Sequence, residues 1–358
     1  MSIAKIQLVN FRNFKNKTID FPQKVTVILG PNASGKTNIL EALFLLSTGK
    51  SFKADVEEEM IDYNNDLARI TGKVSSMQNV ESSTLEVILT RGTEDWPRKK
   101  LLVNGVSKRL IDFAGNLRVT LFGPWDMGLV TEAPSLRRRF MDMVLSQADR
   151  EYRRASLSYE KGLRQRNRLL FRIREEGLSR SQLLFWNQLL IKNGDYISQK
   201  RQEFINFANS NSILHPTSYI LHYDPSIISP ARLEQYVEEE VASATTLVGP
   251  HRDDFQFQIL NSKLQIKRNL AIYGSRGEQR MGTLWLKLRE LAFVEEKTHS
   301  TSSGQAEKPT LLLDDIFSEL DHAHRDVVLS VIGNQQTIIT TADEHFIKGF
   351  KKVNLIKL

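Results

Sequence analysis

The chain contains no cysteine. That excludes disulfide staples, thiol nucleophiles and cysteine-ligated zinc, and it suits a reducing cytoplasm. There is no run of eighteen apolar residues, so no membrane-spanning helix is expected. Met1–Asn10 alternates apolar and polar residues rather than forming the core of a secretion signal, so a cytoplasmic location is expected. No internal repeat or extended low-complexity segment is visible. The seven histidines are scattered, and none forms a pair at metal-ligand spacing.

What is present is globular in character. The 358 residues are 41% hydrophobic and 25% charged, enough for two or three domains with a sizeable core. Lys and Arg number 49 against 42 Asp and Glu, for a net charge of +7. The excess is localised, because Pro134–Arg180 alone holds thirteen Lys/Arg against six Asp/Glu.

Ile3–Val9, Lys17–Phe21 and Thr84–Leu89 read as strands. Val25–Leu29 is a continuous apolar run, as in a strand buried on both faces. Asn38–Ser47 reads as a helix ended by Gly49. Asn104-Gly105 predicts a two-residue hairpin within Lys99–Lys108. Pro134 to about Phe207 is mostly helical, with Gly162, Gly177 and Gly194 as expected interruptions. Strands return at Phe255–Ile259 and Lys263–Lys267, and a helix follows from about Gln279 to Phe293. Lys297–Lys308 reads as an exposed loop. Thr310–Leu313 is a strand, His322–Ile332 a helix and Thr337–Thr340 a strand. The expected fold is an α/β domain split around a helical insertion.

Gly30-Pro31-Asn32-Ala33-Ser34-Gly35-Lys36-Thr37 matches G-x-x-x-x-G-K-[ST], between the strand and the helix that this phosphate loop requires. The glycines let successive N–H groups point at phosphate oxygens, and the helix N-terminus adds partial positive charge. Lys36 is expected on the β/γ-phosphates and the Thr37 hydroxyl on Mg²⁺. Leu311-Leu312-Leu313-Asp314-Asp315 is an apolar strand ending in two carboxylates. Asp314 is assigned to Mg²⁺ and Asp315 to the attacking water. A strand 278 residues away must then lie side by side with the phosphate-loop strand.

Two further segments resemble ABC-type ATPases, specifically their SMC-like DNA-repair group. Ser275-Arg276-Gly277-Glu278-Gln279-Arg280 resembles the S-x-G-x-Q signature loop, and Ser318-Glu319-Leu320-Asp321 the D-loop. Ser275 and Glu278 also spell a capping box, and the two readings are compatible. Asn10-Phe11-Arg12-Asn13-Phe14, Gly249–Asp254 and Pro124–Asp142 are similar to segments of the bacterial recombination mediators in that group. Trp125 and Glu132 depart from that pattern, where an acidic residue and a glycine are expected. No switch histidine follows Thr337–Thr340, and the Q-loop glutamine has no clear position.

The resemblance implies an ABC-type P-loop ATPase head (1–130 and 241–358) with an antiparallel β subdomain and a helical arm (131–240). It places Arg12, Asn13, Ser275, Gly277, Gln279 and Asp321 with the phosphate loop around ATP. One phosphate loop and one signature loop per chain imply a homodimer closed by ATP, because the signature loop serves the opposite subunit's nucleotide. Slow hydrolysis, acting as a switch, is implied. So are binding to gapped or single/double-strand junction DNA, joint action with RecO and RecR, and loading of RecA onto gaps coated by SSB. A transporter nucleotidase, a phosphate-loop kinase and an SMC-like nuclease are the competing classes. The long basic insertion argues against the first, and the signature and D-loops have no role in the second. The third lacks an extra acidic metal cluster.

At 100° per residue, Arg150, Arg154, Lys161, Arg164, Arg168 and Arg172 fall within roughly 40° of one line on a helix. Tyr152, Ala155, Tyr159, Leu163, Leu170 and Ile173 fall opposite, with Arg166 among them. The apolar face is expected to pack on Leu183–Ile197 through Leu184, Trp186 and Leu190. The six cations are expected to meet a DNA backbone. His251 is open between a ligand contact and a structural hydrogen bond.

Overall fold

The computed structural model describes residues 2–75, 82–92, 97–210, 219–261, 266–299, 308–320, 322–345 and 353–358. In chain order the strands are β1 (Ser2–Phe11), β2 (Phe14–Asp20), β3 (Val25–Leu29), β4 (Leu67–Ser75), β5 (Ser83–Thr90), β6 (Lys99–Val103) and β7 (Val106–Lys108). Then come β8 (Val119–Phe122), β9 (Tyr219–Asp224), β10 (Asp254–Asn261), β11 (Ile266–Asn269), β12 (Thr310–Asp314), β13 (Thr337–Thr341) and β14 (Asn354–Lys357). The fold is α/β, with parallel and antiparallel sheets and helical insertions. Two compact units are resolved, Met1–Asp126 with Lys287–Leu358, and Met127–Leu286.

In the first unit, β14-β3-β13-β12-β8 form a parallel sheet. Every residue of β3, β8, β12 and β13 is buried, their threonines included, as in strands covered on both faces. The two site strands are not side by side as expected. β13 lies between β3 and β12 and pairs with both.

The second sheet of this unit is antiparallel, in the order β2-β1-β4-β5-β6-β7. Asn104 and Gly105 join β6 to β7 with φ of 51° and 77°, the left-handed pair that a two-residue hairpin requires. β4 escaped sequence reading because two of its four buried positions are Ala68 and Gly72. A Cβ on Gly72 would stand 2.6 Å from Leu46 Cδ1, so the glycine admits the Lys36–Thr48 helix to the sheet. That helix touches strands of both sheets and is buried from Ile39 to Ser47. A helix covered on all sides has no amphipathic stripe.

Asp126, Lys287 and Glu290 are buried in this unit, with Lys287 ion-paired to Glu290. Burial pushes Glu290 up to about 7, against the pull of Lys287, and raises Asp126 as well. The folded state therefore holds the Glu290 proton more tightly than the unfolded chain, whose value is near 4.5. This contribution to stability is complete below about 4.5 and is lost as pH rises through about 7. Thermal melts at pH 5 and pH 8 check it. Wild type is expected to lose more stability across that interval than Glu290→Gln, by on the order of 2 kcal/mol. Equal losses would refute the assignment.

The second unit contains the helices Pro134–Ala148, Arg150–Glu176 and Leu184–Ser210, and the sheet β11-β10-β9. Of the three glycines expected as interruptions, only Gly177 ends a helix, at φ 67°. Gly162 and Gly194 lie inside helices, where a Cβ would come within 2.6 Å of Leu189 and 2.7 Å of Ile228. They are close-approach points, not interruptions. The additional break comes at Asp149, whose carboxylate accepts from the Glu151 and Tyr152 N–H groups and caps the basic helix.

The expected partner helix is present, with Leu190 buried and Trp186 half-buried. Leu184 faces out instead, at 61% exposure, because it opens the helix just past the turn. The Arg276–His299 helix continues six residues beyond Phe293, with Lys297 over the Phe293 ring one turn on. The rest of the predicted Lys297–Lys308 loop, and Lys263–Gln265 of the predicted strand, lie largely outside the described residues. Among the described residues, no helix is long and apolar enough to cross a membrane.

Candidate nucleotide site and basic helix

The phosphate loop leaves β3 at Leu29 and enters its helix at Lys36. Ala33 at φ 65° and Gly35 at φ 101° curl the backbone. Gly35 has no room for a side chain, since a Cβ would lie 2.6 Å from Asn13 Nδ2 and 2.7 Å from Phe14. At Gly30 a Cβ would lie 2.7 Å from Ser34 Oγ. No side chain caps the helix N-terminus, and the Ser34 hydroxyl is buried without a hydrogen-bond partner among the described residues. These donors suit an anion. Lys36 is 8% exposed, and its Nζ donates to Gly30 O at 2.7 Å and Pro31 O at 2.9 Å, which holds the cation inside the loop. Pro31 and Asn32 are exposed at its tip.

The Thr37 hydroxyl donates to Asp314 Oδ2 at 2.8 Å across 277 residues of sequence. Asp314 is 4% exposed, and its other oxygen accepts from the Thr340 hydroxyl. Asp315 follows at φ 47°, a left-handed conformation rare for a side-chain-bearing residue. Its N–H donates to Thr340 O at 3.1 Å. Thr340 therefore holds the Asp314 carboxylate and the Asp315 backbone N–H, a role that sequence reading missed. One hydroxyl and one carboxylate form a donor set that suits Mg²⁺, which keeps most of its waters. Among the described residues, no group of three His, Asp or Glu offers a richer cage.

Asn13 reaches the loop, donating to Ser34 O at 3.1 Å and accepting from Asn38 Nδ2 at 2.9 Å. Arg12 instead forms a two-pronged pair with buried Glu41, at 2.8 and 2.7 Å, and donates to Glu59 O. Glu41 was legible in principle, as the lone acid in the otherwise apolar run Ile39–Leu46. Asp321 lies outside the described residues.

In the second unit, the Ser275 N–H donates to Glu278 Oε2 at 2.7 Å and the Glu278 N–H to Ser275 Oγ at 3.3 Å. The capping box is thus formed. Ser275 and Gly277 are exposed, and the nearest atom to a Cβ on Gly277 would be 4.0 Å away. Gln279 Nε2 donates to the carbonyls of Leu270, Ala271 and Gly274.

On the Arg150–Glu176 helix, Arg150, Arg154, Lys161, Arg164, Arg168 and Arg172 are all exposed. Arg154 pairs with Glu151 and Arg172 with Glu176, while Arg150 is also engaged. Lys161, Arg164 and Arg168 have no hydrogen-bond or ion-pair partner among the described residues. Tyr152, Ala155, Tyr159, Leu170 and Ile173 are buried, and Leu163 is half-buried. Arg166 sits on that apolar face because it is a core residue. It is 1% exposed and donates to Glu240, Thr246 and Asn187.

A profile of the RecF/RecN/SMC N terminal domain family matches residues 2–358. The chain is 36% identical to the DNA replication and repair protein RecF of Herpetosiphon aurantiacus, across 96% of this chain and 94% of the relative. The chain belongs to the RecF family. RecF of Ligilactobacillus salivarius is 35% identical, covering 95% of this chain and 91% of that protein. A solved structure of the recombination mediator protein RecF with ATP, in the RecFOR pathway, superposes with a TM-score of 0.84 at 30% identity. It covers 96% of this chain and 92% of that one.

Segments that carried the RecF-family resemblance hold the second unit together. Arg137 grips Asp254 at 2.7 and 3.0 Å, and Arg138 donates to Asp253 O. Arg201 binds Asp253 at 2.8 Å and Asp142 at 2.9 Å. His251 sits between Tyr159 Oη and Thr246 O, both at 2.9 Å. Burial lowers it to about 4, so it is neutral at pH 7, with Nε2–H donating to the carbonyl. Its role in this structure is a structural hydrogen bond.

Proposed function

We propose that this chain is an ATP-switched DNA-binding protein of the RecF type, acting in recombinational repair of single-strand gaps. The observation that carries the nucleotide half is the Thr37–Asp314 hydrogen bond beside a bare helix N-terminus holding Lys36. In this reading Gly30–Thr37 holds ATP, with Asn13 bracing the loop. The Lys36 ammonium exchanges its two carbonyl partners for phosphate oxygens. Thr37 and Asp314 hold Mg²⁺, which when bound offsets charge on the triphosphate. Asp315 orients the attacking water. Hydrolysis is slow and serves as a switch.

Segments 1–130 and 241–358 supply the ATPase head, and 131–240 the arm. Ser275, Gly277 and Gln279 close on nucleotide held by a second copy, so ATP joins two chains and its hydrolysis releases them. DNA runs along the Arg150–Arg172 face. RecO and RecR are the proposed co-workers, consistent with the RecFOR setting of the solved relative, and RecA loading on SSB-coated gaps in the cytoplasm is the outcome. The test is binding to gapped and blunt duplex, with and without ATP, for wild type and Lys36→Ala. ATP-dependent preference for the gapped duplex, in wild type alone, is expected. Equal binding in all cases would refute the switch.

A further inference from the structure

We propose that Phe171 is a stacking platform for one unpaired base, set at the point where the free cation row of the Arg150–Glu176 helix ends. The proposal rests on the reading that DNA runs along this face, and it adds the residue that recognises an interruption in the duplex.

The ring is exposed where its apolar neighbours are not. Leu170 is fully buried and Ile173 is 8% exposed, both in a core with Leu183, whereas Phe171 is 49% exposed. One side of the ring is held. The Arg174 guanidinium carbon lies 5.3 Å from the ring centroid. That guanidinium is itself fixed, donating to Glu175 at 2.7 Å and to the Ala242 carbonyl at 3.0 Å. A flat ring with a cation anchored against one side is already ordered, so stacking a base on it costs little further ordering.

The charge pattern names the occupant. Lys161, Arg164 and Arg168 are exposed and unpartnered among the described residues. At 1.5 Å per residue they span about 10 Å of the helix, and a row of like charges suits a phosphate backbone. Phe171 follows Arg168 by three residues and lies roughly 20° from Arg164 around the axis, so its ring borders both cations. Beyond it the row is closed by acids. Arg172 pairs with Glu176, and exposed Glu175 falls roughly 20° from the line of Arg168. A phosphate track continuing straight along the helix would run into these two carboxylates. A backbone that leaves the helix at Arg168 avoids them, and a base released from the duplex there meets Phe171. Every base has a flat face, so the contact recognises an unpaired nucleotide without reading its sequence. A fully paired duplex keeps its bases stacked on one another and offers none to the ring.

The test is fluorescence anisotropy on the full chain with saturating ATP and Mg²⁺. Three labelled probes share one length and the same blunt ends: an intact duplex, a gapped duplex, and that gapped duplex with abasic sites in place of its unpaired nucleotides. Variants are Phe171→Ala, the conservative Phe171→Trp, and Arg164→Glu combined with Arg168→Glu. Phe171→Ala is expected to weaken binding to the gapped duplex by roughly 5- to 100-fold, the range for losing one base–aromatic stack. Its affinity for the intact duplex, its salt slope and its melting temperature should match wild type, because no charge or core contact is removed. Phe171→Trp should retain the affinity. Wild type should bind the abasic gap more weakly than the natural one by the same factor, and Phe171→Ala should bind both alike. If Phe171→Ala matches wild type on every probe while the double arginine variant loses binding, the platform is refuted and the DNA-binding arm stands. A ring that docks on a protein partner would give that result. An equal loss on all three probes, or a wild type indifferent to abasic sites, also refutes the platform, since no base is then stacked. A double arginine variant that binds every probe like wild type overturns the arm reading itself.

Discussion

Lys36→Ala is expected to remain monomeric at saturating ATP under conditions in which the wild-type chain sediments as a dimer. The Lys36 ammonium is the cation enclosed by the loop, held by the carbonyls of Gly30 and Pro31. A triphosphate entering the loop presents stronger acceptors than those carbonyls. A hydrogen bond involving a charged group contributes roughly 1.5–3 kcal/mol, so its removal should weaken ATP binding by about 10- to 150-fold. Dimerisation should suffer at least as much, because two such sites close together. The loop should survive the change, since its shape rests on Gly30, Gly35 and the Asn13 brace. Sedimentation velocity with ATP, paired with circular dichroism melts, separates loss of nucleotide from loss of fold. Dimerisation like that of wild type would refute the composite-site reading.

The second large effect is expected from reversing Arg164 and Arg168 to Glu. Both are exposed and, with Lys161, unpartnered among the described residues, whereas Arg154 and Arg172 already have acidic neighbours. If the face neutralises about four phosphates, log affinity for duplex DNA should fall against log salt with a slope near −3.6. Removing two cations should bring the slope to about −1.8, and the two new negative charges should weaken binding further, to roughly 100-fold overall at low salt. Melting temperature and ATP affinity should not move, because neither residue supports the core. Fluorescence anisotropy with labelled gapped duplex across a salt series checks this. An unchanged affinity would move the DNA surface off the arm.

The contrast between Arg164 and Arg166 shows where sequence reading stops. Both are arginines on one helix, and the 100° step places them on opposite faces. Periodicity marked Arg166 as an exception but did not say what neutralises it. Glu240 lies 74 residues away and meets it only in the folded unit. Glycine shows the same limit. Gly177 ends a helix through its own backbone angle, a local property. Gly162 and Gly194 serve helix contacts set by distant Leu189 and Ile228.

By itself the sequence determined what depends on near neighbours. These are the phosphate loop between its strand and helix, the hairpin at Asn104-Gly105, the Ser275–Glu278 cap and the two faces of the basic helix. Each is encoded within a few residues by backbone freedom, capping chemistry or periodicity. Only tertiary structure decided that β13 separates β3 from β12, that Thr340 holds Asp314, and that Arg12 is neutralised by Glu41 while Asn13 braces the loop. Those pairings join segments tens to hundreds of residues apart. They are selected by burial, where a charge or hydroxyl must find a partner, and no local pattern names that partner.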